Sequence, residues 1–70
     1  MTLNDAETGT EYIIKNINTD DEEMKEFLFS LGCYSGEPIT VVTKKKSNMV
    51  LAIKDARYNI DSYLADAIEI

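Results

Sequence analysis

The sequence predicts a mostly β fold with one short α-helix, curled into a small barrel of about five strands. Three observations carry that expectation. Met24, Phe27, Leu28 and Leu31 lie at i, i+3, i+4 and i+7, which gives one buried helical stripe. Gly32 and Gly36 follow it, and Pro38 then opens the β-branched run Ile39-Thr40-Val41-Val42-Thr43. Four further stretches read as short strands, and a sheet this small hides its edges most economically by closing on itself.

Taken in order, a polar start leads through Gly9-Thr10 into the first strand, residues 11–17. Tyr12 and Ile14 sit two apart, as residues sharing one strand face do. Ile17 is out of phase with them, so a bulge or strand end is expected near Lys15-Asn16. Thr19-Asp20-Asp21-Glu22 has the form of a capping box, a Thr N-cap with Glu three residues on. The acidic run at residues 20–23 then occupies the first helical turn. Negative charge there complements the helix dipole by ~0.3–1 kcal/mol per group. Phe29 lies off the apolar stripe, either packed at its edge or exposed. Gly32 can adopt the left-handed conformation that closes a helix, and Gly36 suits a tight turn.

Residues 39–43 form the strand most strongly marked by composition, and residues 44–48 are polar and turn-like. Met49-Val50-Leu51-Ala52-Ile53 returns antiparallel, Lys54-Asp55 turns the chain, and residues 56–60 read as a third short strand of that region. Asp61 can cap one helical turn over residues 62–65. In the tail, Ile68 and Ile70 alternate with Glu69 as a last strand. The 70 residues make one domain with no repeat, linker or low-complexity tract.

Composition excludes more than it assigns. A chain this short buries only about 60% of its unfolded surface, so modest stability is expected. The 44% hydrophobic content still supports a compact core. The single cysteine, Cys33, cannot form an internal disulfide, and with no histidine the common structural zinc site is excluded. Net charge −6, with Lys44-Lys45-Lys46 as the one short basic cluster, argues against nucleic-acid binding. The absence of any internal disulfide points to a reducing, cytosolic setting, and no signal peptide or membrane-spanning run is legible.

The ordered set Gly9, Ile14, Ile17, Leu28, Leu31-Gly32, Gly36, Ile39, Val41, Ala65, Ile68 and Ile70 resembles the bacterial FeoA family. The resemblance runs from about Leu3 to Ile70 and rests on small and apolar positions, so it speaks for fold before activity. It implies an SH3-like barrel, and an accessory role in Feo ferrous-iron uptake. The implied partner is the cytosolic GTP-binding domain of the FeoB permease, met at the inner face of the membrane. The same domain is attached to some metal-dependent repressors, which makes a metal-responsive regulatory module the alternative. Two departures stand out. Lys25-Glu26-Phe27 replaces a basic pair common before the Leu-x-x-Leu-Gly motif, and Cys33 stands where an aliphatic residue is usual.

Candidate chemistry is sparse. Without histidine there is no nucleophile and base pair, so no catalytic residue is assigned and the chain is read as a non-enzyme. Cys33 and scattered carboxylates would make at most a weak transition-metal carrier, so no metal ligand or cofactor is assigned. Consecutive acidic side chains at residues 20–23 do not converge on one ion, and their capping role explains them. A thiol just past a helix C-terminus is poorly placed to ionise, which favours packing for Cys33. Protein binding fits best. Phe29, Cys33 and Tyr34, extended by Tyr58, are the candidate partner-binding residues, since a small core leaves aromatics uncovered. Residues 68–70 also offer an open edge through which copies could weakly associate.

Overall fold

The strands expected along the middle of the chain build the main sheet. The computed structural model describes residues 1–70. β3 (Pro38–Lys44), β4 (Asn48–Ile53) and β5 (Ala56–Asp61) form an antiparallel meander, and β1 (Glu11–Ile13) adds to the outer side of β3. Ile39 and Val41, Met49, Leu51 and Ile53, and Ile60 turn to the core face. The register slips between Val41 and Thr43, which bends β3 where Val42 is the extra residue.

The closed five-stranded barrel gives way to six strands in two sheets. β2 (Asn16–Ile17) pairs antiparallel with β6 (Ile68–Glu69), apart from the order β1-β3-β4-β5, and hydrogen bonding does not close the sheets into a barrel. The reason lies in residues 14–15. Ile14 N–H donates to Glu37 O at 2.9 Å, and Lys15 N–H donates to Glu69 O at 2.8 Å. The segment is handed from one sheet to the other, and the phase slip lets both Ile14 and Ile17 face the core.

α1 (Glu22–Ser30) begins two residues later than its capping-box reading. Its N-cap is Asp21, whose Oδ1 accepts from Glu23 N–H at 3.0 Å and Met24 N–H at 3.2 Å. Thr19 Oγ1 instead accepts from Asp21 N–H and shapes the approach. A capping box does occur in the N-terminal segment that reads as merely polar. There Thr2 opens a 3-10 turn at Leu3–Asp5, with Asn4 N–H on its hydroxyl and its own N–H on Asp5. That turn seats Leu3 fully in the core. Lys44 Nζ holds it by donating to Asn4 O and Ala6 O at 2.8 and 2.7 Å.

At the other end Asp61 caps α2 (Ser62–Ala65) as expected, its Oδ1 accepting from Leu64 N–H at 2.8 Å. The core is wholly apolar, with no buried polar or charged residue. α1 buries a narrower stripe than its spacing suggests: Met24 and Leu28 are inside, Leu31 is half-buried and Phe27 is 47% exposed. No helix is long and apolar enough to cross a membrane.

Candidate functional site

The C-terminus of α1 organises the candidate surface. Gly32, at φ +98°, ends the helix in a Schellman motif. Cys33 N–H donates to Leu28 O at 3.1 Å and Gly32 N–H to Phe29 O at 2.9 Å. Cys33 and Leu28 are both fully buried, which supplies the apolar contact that accompanies this motif. With Cys33 turned inward, the next residue must emerge, and Tyr34 is 48% exposed.

Tyr34 lies back over the helix it has just left. Its ring stacks on Phe29 with centroids 5.4 Å apart and planes 13° from parallel. Stacked aromatic pairs contribute ~0.5–1.5 kcal/mol beyond area burial. Lys54, at the tip of the β4–β5 hairpin, places Nζ 5.9 Å from the Tyr34 centroid and 4.0 Å from Glu37 Oε1. Both contacts are solvated and of small energy. Below the helix end, Gly36 N–H donates to Ile14 O at 2.7 Å, and Ser35 Oγ donates to Lys15 O at 2.8 Å. These two bonds tie the turn to residues 14–15, the link that leads into β2. Between turn and strand opens a shallow groove of about 380 Å³, lined by Asn16, Ile17, Lys25, Phe29, Tyr34 and Ser35.

Of the four residues singled out in sequence, the structure joins two. Phe29, off the helical stripe, is half-buried, and stacked with the exposed Tyr34 it lines one side of the groove. Cys33 is a correction: it is 0% exposed, so its side chain cannot touch a partner. Burial pushes its thiol up to about 11, and it serves the site from beneath by anchoring the turn. Tyr58 stands on β5 opposite Leu51, half-buried against the core, and does not line the groove. Sequence reasoning missed Phe27, Ile13 and Tyr63, exposed by 47%, 52% and 71%. Phe27 was hidden by its i+3 spacing, whereas Ile13 lies on the strand face opposite Tyr12 and Ile14, a signal their alternation carries.

No three cysteine and carboxylate residues come together as a metal-binding group, so the Cys33-based carrier set is not assembled. Of the acidic residues at 20–23, Asp21 caps the helix and Glu22 and Glu23 stand in its first turn, while Asp20 precedes the cap.

A model of the FeoA domain family matches residues 1–70. No curated protein matches the sequence. Among solved structures, the crystal structure of an iron uptake regulatory protein, FeoA, is similar with TM-score 0.88 at 22% identity. That match covers 97% of this chain and 91% of the other. The zinc complex of Stenotrophomonas maltophilia FeoA, described as a procaryotic SH3 domain protein, gives TM-score 0.87 at 18% identity, over 97% and 86% of the two chains. Iron(II) transport protein A from Clostridium thermocellum gives 0.88 at 27% identity, over 99% of this chain and 43% of that one.

Proposed function

The chain belongs to the FeoA family, and on that footing we propose that it is an accessory protein of ferrous-iron transport that acts by docking, without chemistry of its own. The partner is the cytosolic GTP-binding domain of the FeoB permease, met at the inner face of the membrane. The observation that carries this reading is the Phe29–Tyr34 stack beside an open groove. Half-exposed aromatics held rigid by a helix cap lose little side-chain freedom on binding, which is what an interface anchor requires. Similar structures described as an iron uptake regulatory protein and as an iron(II) transport protein support the transport role.

Titration calorimetry against the permease's cytosolic domain, with and without a GTP analogue, tests the proposal. Saturable binding is expected, weakened about tenfold or more by Phe29→Ala or Tyr34→Ala, as for interface anchors. Tyr58→Ala, outside the groove, leaves affinity unchanged. Absence of binding by the unaltered chain overturns the partner. Equal affinity in well-folded Phe29 and Tyr34 variants overturns the surface.

A further inference from the structure

β5 carries the longest strand edge without a neighbour. It ends the order β1-β3-β4-β5, whereas β1, β2 and β6 have three residues or fewer. Which of its backbone groups face outward follows from its pairing. Ile53 lies opposite Ala56 across the two-residue loop Lys54-Asp55, and Ser62 N–H donates to Ser47 O at 2.9 Å just beyond the strand. Residues of one parity on an antiparallel strand bond to the same side. Even-numbered residues of β5 therefore bond to β4, and Arg57, Asn59 and Asp61 face the open edge. Arg57 and Asn59 take part in no loop or cap backbone bond to another segment. As N-cap, Asp61 commits its carbonyl to α2 and leaves its N–H free.

The side chains along this edge are self-complementary. Arg57-Tyr58-Asn59-Ile60-Asp61 sets a cation and a carboxylate equally far from Asn59, with an apolar residue between on each side. We propose that two copies of the chain join β5 to β5 in antiparallel register centred on Asn59, merging two four-stranded sheets into one continuous sheet. The register is the one the free groups allow. Asn59 meets Asn59 of the second copy and exchanges two backbone bonds, while each Asp61 N–H donates to the opposing Arg57 carbonyl. Arg57 then stands opposite Asp61 twice, and Tyr58 opposite Ile60 twice.

Charge complementarity identifies the occupant. Arg57 is exposed and has no carboxylate partner in its own chain, where the one ion pair is Lys54 with Glu37. Edge charges usually deter strand addition by repulsion. Here a second copy places an opposite charge against each. The proposal is independent of the permease reading, because β5 does not line the Phe29–Tyr34 groove.

Sedimentation equilibrium of the full chain from about 10 μM to about 1 mM tests it. A reversible dimer is expected in that range. Asn59→Pro abolishes it, because the Asn59 N–H points away from β4 and its loss spares the in-chain ladder. Arg57→Glu, which sets like charges opposite each other, weakens self-association about tenfold or more and does not depend on tolerance of proline. Isotope-filtered NMR of a mixed labelled sample should show a Tyr58 Hα to Ile60 Hα contact between copies. A monomer throughout the range, or a dimer indifferent to Arg57→Glu, overturns the proposal.

Discussion

Replacing Gly32 by Ala separates the two reasons a glycine can be required. An added Cβ would meet nothing tighter than Lys54 Cε at 3.7 Å and Cδ at 3.8 Å, ordinary van der Waals contact. The cost must therefore come from the backbone, since φ is +98°. Holding an L-residue there costs ~1–2 kcal/mol, offset by ~0.4–1 kcal/mol because alanine leaves the unfolded chain less freedom. A net loss of about 1 kcal/mol is expected. For a domain of this size that corresponds to roughly 4–8 °C in Tm. Urea and thermal unfolding of Gly32→Ala, alone and in a Lys54→Ala background, measure it. Equal losses in both backgrounds support backbone strain. A loss that disappears once Lys54 is trimmed would show contact to be the cause and refute the reasoning. Gly36→Ala, at φ +93° with nothing within 4 Å, should cost about the same. The Gly32 variant should also displace Tyr34 and weaken its stacking, visible as changed Phe29 and Tyr34 ring shifts in NMR.

Cys33 links stability to alkaline pH. Burial raises its thiol from 9.0 to about 11, so the folded state keeps the proton while the unfolded state loses it. The stabilisation is complete below about pH 9 and is lost as pH rises towards 11, to a total on the order of 2–3 kcal/mol. Urea unfolding at about pH 8 and about pH 10.5 checks this, with Cys33→Ala as the control for every contribution other than the thiol; parallel pH slopes would refute it. At the start of α1, Asp21→Ala should cost about 1 kcal/mol and Thr19→Ala distinctly less, because Asp21 holds the two helical N–H groups. Chemical denaturation of the two variants decides, and the reverse order would restore Thr19 as the cap.

Much of the architecture was legible because it depends on neighbours in sequence. The β-branched run and the apolar run after it became β3 and β4 almost to the residue, and Asp61 capped its single turn as read. The break near Lys15 was visible in the phase of Ile17, though not the second sheet it creates. Two capping motifs competed for the start of α1, and the shorter reach of Asp21 prevailed over Thr19. Leu3 escaped notice because one apolar residue in a polar segment carries no periodicity. It is buried only because Lys44, forty residues away, and the Thr2 cap hold that segment down.

The candidate surface divides in the same way. Gly32 and Gly36 announced their turns by residue type alone, and family membership rests on similarly local marks. Which of the four chosen residues reach solvent was a tertiary outcome. Cys33 and Tyr34 are adjacent in sequence, yet the Schellman bond to Leu28 sends one into the core and the other over Phe29. Lys54 joined the site only because the β4–β5 hairpin returns its tip to the helix end. Sequence by itself determined what each short segment can be, through backbone freedom, capping chemistry and apolar spacing. Tertiary structure alone decided which faces meet, because burial is a property of the assembled surfaces that no window of neighbouring residues contains.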